Sequence, residues 1–241
     1  MAKILCIETS ASALSVCLAE DCVLLADRVC TEPRQQAALT APLVKEVLDA
    51  AGCTVKDCDA ICVSAGPGSY TGLRVGVSTA KGLAFGAGKP LIAVGTLDIL
   101  VQGASSCPTP TSSCPTPTSS CPAPTGHLVP MIDARRMEVY TAVYSPDGQR
   151  LTPVEALVVE EDSFADYLSK GPVLFIGDGA QKCSQVIKHP NASFLESAPM
   201  ARDMVPLAFK AFEAGKFEDT AYFEPFYLKD FIATVSRKQL W

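Results

Sequence analysis

The sequence is poor in the residues that mark metal and acid–base sites. Its 241 residues contain only two histidines, His127 and His189, far apart in the chain. None of its eleven cysteines stand in C-x-x-C spacing. These absences leave no zinc-finger or zinc-ribbon pattern. No nucleophile is accompanied by a histidine base, so a peptidase triad is not expected. Clustered Lys and Arg are missing too: 20 basic residues stand against 26 acidic ones, giving a net charge of −6 and a pI near 5.0. A surface that grips nucleic acid needs a basic patch, so tRNA contact, if any, is expected only indirectly, through another subunit. No run reaches the roughly eighteen apolar residues that span a bilayer. The N-terminal "MAKILCIETSASALSVCLAED" places Glu8 and several hydroxyls where a signal peptide has an unbroken apolar core. A soluble, cytoplasmic protein with no membrane partner is expected.

What the chain does have is apolar content, 48% of its residues, enough for a sizeable core. Cys6, Cys17 and Cys62 lie inside apolar runs and read as reduced, buried cysteines acting as small hydrophobes. One segment stands apart. "SSCPTPT" at 105–111 recurs at 112–118 and, as "SSCPAPT", at 119–125. Repeated prolines block helix and sheet ladders alike, so 105–126 is expected to be a disordered loop inserted between an N-terminal unit, 1–104, and a C-terminal unit, 127–241. Cys107, Cys114 and Cys121 then travel with the repeat as passengers.

Periodicity supplies the elements. "KILCIE", "ALSVCLA" and "CVLLADRV" read as three strands of a meander, with Leu14, Val16 and Leu18 on one face. A helix over 33–51 carries the stripe Leu39, Leu43, Val47, contains Pro42, and stops at Gly52. "DAICVSA" is a strand, a glycine loop leads into a helix to about Gly86, and "KPLIAV" is a strand again. After the repeat, "HLVPMID", "MEVYTAVYS", "ALVVE" and "VLFIG" read as strands. Helices are expected at 161–170, after "DGA", and across "MVPLAFKAFEAG". Two successive α/β units, each opening with strand hairpins, suggest a duplicated fold.

"SAGPGSYTGLRVGVSTAKGLA", Ser64 to Ala84, admits two functions. Gly66, Gly68 and Gly72 before a helix suit a phosphate cradle, yet the spacing matches neither a P-loop nor G-x-G-x-x-G. Lys81 also lies too far into the helix to serve as the lysine of a P-loop. Gly72, Gly76, Ala80 and Ala84 recur every fourth residue, leaving a helix face nearly bare of side chains. Gly76 alone costs about 1 kcal/mol against alanine. Close approach of a second helix, from this chain or another, would offset that cost. Thr9 and Ser10 after the first strand, and Gly177 and Gly179 in "GDGA", are further candidate phosphate contacts. Glu8 and Asp133 are the candidate carboxylates for an autonomous nucleotide-dependent kinase or ATPase, the alternative reading. "IDARRMEVY" places Asp133, Arg135 and Arg136 in a turn between strands.

Taken together, "IETSASALSV", "SAGPGSYTGLRVGVSTAKGLA", "IDARRMEVY", "IGDGA" and "EPFYLKDF" resemble the TsaB family, which acts in making threonylcarbamoyladenosine in tRNA. The likeness covers nearly the whole chain outside 105–126, and the 64–84 segment is shared with the catalytic paralogue TsaD. The resemblance implies a duplicated actin-like/hexokinase-like (ribonuclease H-like) ATPase fold. It implies a non-catalytic scaffold that pairs with a TsaD-like subunit and a TsaE-like ATPase, and that forms a homodimer when alone. Thr96 and Leu100 take the places of two histidine ligands of TsaD, so no metal is expected. No cofactor of its own is expected either, with ATP or ADP held only at a subunit boundary. On this view the small-residue face, with Leu73, Leu39, Leu43 and Val47, is a partner seam, and Thr9, Ser10, Gly66, Gly68, Gly177 and Gly179 are vestigial phosphate contacts.

Overall fold

The computed structural model describes residues 1–105 and 126–229. The expected insertion at 105–126 falls outside them apart from its two end positions. In the first half, β1 (Lys3–Glu8), β2 (Leu14–Glu20) and β3 (Val23–Cys30) form the expected meander. They are followed by α1 (Gln36–Ala50), β4 (Ala60–Gly66), α2 (Tyr70–Ala87), β5 (Leu91–Gly95) and α3 (Thr96–Ser105). The second half repeats the order: β6 (His127–Asp133), β7 (Glu138–Thr141), β8 (Glu155–Val158), α4 (Ala165–Leu168), β9 (Val173–Ile176), α5 (Ala180–Cys183), β10 (Ala192–Leu195) and α6 (Ala201–Glu213).

The two sheets have the same topology. The first is ordered β3-β2-β1-β4-β5, and the second, read from the corresponding edge, β8-β7-β6-β9-β10. In each, the first three strands are antiparallel and the last two join the first in parallel. This is the duplicated α/β arrangement that the resemblance implies.

Strand alternation divides the core. Leu5, Ile7, Leu14, Val16 and Leu18 pack under α1 and α2. Ile4, Cys6, Cys17 and Cys62 face the other way, onto Met204, Val205, Ala208 and Phe209 of α6. Cys6 is in register with Cys17 on one side and Cys62 on the other, and all three are buried and reduced. The last helix of each half thus serves the other half. Leu97, Leu100 and Val101 of α3 pack with Leu128, Ile132, Tyr144 and Ile176 of the second sheet. At this junction the Tyr144 hydroxyl donates to Asp98 Oδ1 at 2.7 Å.

Several elements differ from the sequence reading. α1 begins at Gln36, because Pro33 and Arg34 form the turn before it and Arg34 takes φ +65°. Pro42 stays inside α1 on its exposed side, where the carbonyl it leaves unbonded reaches water. α4 and α5 are single turns of four residues. β7 ends at Thr141, since beyond it the chain exchanges bonds with Leu128 only at Tyr144. α3 and β10 have no counterpart in the periodicity analysis; α3 is buried on two sides and β10 is only four residues long.

Candidate functional site

The closest backbone approaches of the first half converge on the turn between β1 and β2. α2 lies on that turn with Gly72 and Gly76 inward. A Cβ on Gly72 would stand 2.1 Å from the Thr9 carbonyl oxygen, and one on Gly76 would stand 2.1 Å from Thr9 Oγ1. A Cβ on Gly68 would lie 2.3 Å from the Ser10 carbonyl oxygen. Only hydrogen fits at these places. Thr9 Oγ1 donates to the Gly72 carbonyl at 2.8 Å, and Ser69 N donates to the Ser10 carbonyl at 2.7 Å. Ser69 also caps α2, its Oγ accepting from Gly72 N at 3.3 Å.

The seam expected for a second chain is therefore closed within this one. Gly72, Leu73, Gly76, Val77, Ala80 and Ala84 are the buried residues of α2. Leu43 and Val47 are buried in the same core, with Leu39 packed at its margin. The periodicity marked a close approach correctly, but the approaching group is the chain's own β-turn, and Ala80 and Ala84 lie in the core that also holds Leu43, Val44 and Val47 of α1.

The candidate phosphate contacts are likewise engaged internally. Thr9 and Ser10 are fully buried. Ser10 N and Oγ both donate to Glu8 Oε1, at 2.6 and 2.5 Å, so neither points outward as an anion cradle requires. Gly66 takes φ +103°, and a Cβ there would lie 2.8 Å from the Phe226 carbonyl. Gly177 takes φ +127° with its Cβ position 2.2 Å from the Met131 carbonyl, to which Gly179 N donates at 3.0 Å. Both glycines of "GDGA" thus serve the approach of the β9 turn to β6. Asp178 between them accepts from Asp133 N at 2.9 Å, and burial raises its pKa.

The two candidate carboxylates sit in different halves. Asp133, exposed at the end of β6, is ion-paired with Lys182. Glu8 is fully buried, and desolvation raises its pKa to about 7 against the opposing bonds from Ser10. Arg135 and Arg136 form the expected turn, both with positive φ. Thr96 opens α3 as a buried residue, and Leu100 lies in the core between α3 and the second sheet, against the Gly177 turn. No group of three or more His, Cys, Asp or Glu suited to a metal occurs among the described residues.

Two surface features escaped the sequence reading. Two residues along from the glycine face, about 200° around the helix, α2 carries a second face of small residues. Ser78, Gly82 and Gly86 are exposed there beyond the longer Arg74, and a Cβ on Gly82 or Gly86 would meet nothing within 4 Å. Phe85 stands on this face, 84% exposed. A large apolar residue on the polar side of an otherwise small-residue helix was the available signal. The second feature is a strap, residues 216–229, that crosses α2. Lys81 Nζ donates to the Ala221 and Phe223 carbonyls at 3.2 and 2.9 Å. Phe226 N donates to the Ala65 carbonyl at 2.7 Å, and the Tyr227 ring lies 4.9 Å from that of Tyr70. Lys229 then pairs with Glu138 of the second half. Lys81 is thus a clamp on the chain's own backbone.

The duplicated sheet has close counterparts among known proteins. The family model for TsaD, tRNA N6-adenosine threonylcarbamoyltransferase, matches residues 33–236. The tRNA threonylcarbamoyladenosine biosynthesis protein TsaB of Escherichia coli (strain K12) is 30% identical over 239 residues, 96% of each chain. The chain belongs to the TsaB family. The TsaB of Bacillus subtilis (strain 168) is 29% identical, over 77% of this chain and 75% of its own. Among solved structures, YeaZ from Pseudomonas aeruginosa superposes with a TM-score of 0.77 at 28% identity, covering 95% of this chain and all of its own. The likeness to the transferase itself is more local: the enzyme of Sphingopyxis alaskensis is 55% identical over 58 residues, 17% of its length. Within the TsaB family framework, the glycine segment 64–84 is a packing element that seats α2 on the β1–β2 turn. No helix among the described residues is long and apolar enough to cross a membrane.

Proposed function

We propose that this chain is a non-catalytic subunit of the machinery that makes threonylcarbamoyladenosine in tRNA, acting by binding a TsaD-type transferase. The observation that carries this reading is the end-to-end match to a TsaB protein, joined to a buried β1–β2 turn whose donors are spent on the chain's own atoms. A scaffold needs an available surface in place of a working cleft. The outward face of α2, with Phe85 exposed between Gly82 and Gly86, is that surface in our reading. Bare glycines let a partner helix approach closely, and Phe85 supplies an apolar anchor. Binding there favours the competent arrangement of the transferase. The same face would serve a homodimer when the chain is alone, and a TsaE-like ATPase and ATP or ADP would join at the boundary of the assembled subunits.

Depletion of the protein in its host tests the pathway. Mass spectrometry of tRNA nucleosides should show loss of threonylcarbamoyladenosine, restored by the full chain; unchanged levels would remove the reading. Phe85→Asp tests the surface. It should abolish co-elution with the TsaD-type subunit in size-exclusion chromatography while leaving thermal unfolding unchanged, and undiminished co-elution would move the interface elsewhere. Calorimetric titration of the isolated chain with Mg-ATP should be silent; micromolar binding would favour the autonomous kinase or ATPase.

A further inference from the structure

A cavity of about 240 Å³ opens between the outer edge of β5 and the C-terminal end of α6. β5 is an edge strand of the first sheet. Ile61 N donates to the Pro90 carbonyl at 3.0 Å, so the even-numbered residues of β5 bond inward to β4. Leu91, Ala93 and Gly95 then turn their backbone groups to the open edge. The Leu91 carbonyl accepts there from Glu218 N at 2.8 Å, in an antiparallel bridge. The pairing stops after this bridge, because Lys216 N turns back to the Ala211 carbonyl at 2.9 Å and closes α6. Ala93 and Gly95 line the cavity beyond it, and their outward groups have no backbone partner among the described residues. Leu207, Ala211 and the cap residue Ala214 form the apolar wall opposite.

The charges around this cavity are ordered along the strand. Lys216 lies two residues before the bridge, at the Leu91 end, and Lys210 lines the cavity with it. Neither lysine forms an ion pair among the described residues. Asp98 stands at the other end: a Cβ on Gly95 would lie 2.4 Å from its Oδ2, while its Oδ1 accepts from the Tyr144 hydroxyl. From this arrangement we propose that the cavity captures the C-terminus of a partner polypeptide, whose last residues add as a short antiparallel strand to the β5 edge. An unpaired edge is a template for another chain. Ala93 and Gly95 each present an N–H and a C=O, which a peptide satisfies and a small acid does not. A chain antiparallel to β5 enters at Gly95 and ends toward Leu91, so its carboxylate arrives beside Lys216 and away from Asp98. The ammonium then makes a charge-assisted bond to it. Pockets that hold a drug-sized ligand run to roughly 300–1,000 Å³. This smaller one fits a chain end whose last side chain is apolar and packs on Leu207 and Ala211. α6 covers the sheet face opposite α2, so this contact is separate from the one proposed for the transferase.

The test titrates the isotopically labelled full chain with the peptide acetyl-Thr-Val-Thr-Leu, its C-terminal carboxylate free, and follows the amide resonances by NMR. Saturable shifts at Ala93 and Gly95 are expected, with slowed hydrogen exchange at both. The same peptide with a C-terminal amide should bind about tenfold more weakly, and so should the free acid to Lys216→Ser. Lys216 is exposed, so that variant should keep the wild-type thermal unfolding. Equal affinity for acid and amide would overturn the capture of a carboxylate. Sodium isovalerate distinguishes a chain end from a small acid: if it shifts the same amides as tightly as the peptide does, the chain-end assignment is wrong. Unmoved Ala93 and Gly95 amides at about 5 mM peptide would overturn the site altogether.

Discussion

Gly76 and Gly82 lie on opposite faces of α2, and the same substitution should move their stabilities in opposite directions. Glycine in a helix interior is worse than alanine by about 0.8–1 kcal/mol. At Gly82 a Cβ meets nothing within 4 Å, so Gly82→Ala should stabilise the chain by about 1 kcal/mol. At Gly76 the new Cβ would stand 2.1 Å from Thr9 Oγ1 and 3.3 Å from both Thr9 Cβ and Cγ2. Thr9 cannot simply swing aside, because its Oγ1 donates to the Gly72 carbonyl and its turn is fixed by the bonds between Ser10 and Glu8. Overpacking costs about 1–3 kcal/mol and the lost hydrogen bond about 1 kcal/mol more. Set against the helix gain, Gly76→Ala should destabilise by about 1–3 kcal/mol. The two variants should therefore differ by about 2–4 kcal/mol in urea unfolding followed by circular dichroism, with unchanged m-values. Thr9→Ala in the Gly76→Ala background should recover much of the loss, since the clashing oxygen is gone. If both glycine variants stabilise equally, α2 does not seat on the turn as described and Gly76 is free for another chain.

Three further outcomes follow from particular contacts. Burial raises the Glu8 pKa in the folded state to about 7 from the ordinary carboxylate value of 4.5, so the folded state holds its proton more tightly. That contribution is fully present below pH 4.5 and is lost as pH rises to about 7. At about 1.4 kcal/mol per unit it amounts to roughly 3 kcal/mol. The difference in stability between wild type and Glu8→Gln should follow this curve, and a flat difference would contradict it. Lys81→Met keeps the apolar stem but removes both bonds to the strap; limited proteolysis should cut within 217–229 several-fold faster while the core Tm falls little. Gly177→Ala should destabilise more than Gly171→Ala. Both have positive φ, but only at Gly177 does the Cβ collide with backbone, the Met131 carbonyl at 2.2 Å.

Much of the first half was legible because its signals are local. The meander β1–β3 follows from period-two alternation and from a turn that Asp21 and Cys22 close with positive φ. α2 was read from the glycine loop and the recurring small residues, with an end at about Gly86; the structure ends it at Ala87, where Gly88 takes the left-handed conformation. The second half was less legible. α4 and α5 are too short to show a helical period, and β10 is a four-residue edge strand with little apolar alternation. The site was half legible: recurring small residues announced that something comes close to α2 but not what. Glu8 was visible as a carboxylate, while its complete burial was not.

By itself, the sequence determined the strand and helix periods, the duplication, and the positions where a side chain has no room, because each depends on neighbours a few residues apart. Which group fills the space over Gly72 and Gly76 was decided only by the tertiary structure. So was the exchange of α3 and α6 between the halves. The return of the strap over α2 was settled there as well. Those contacts join residues tens to nearly two hundred positions apart, and no local pattern records which of several compatible surfaces will meet.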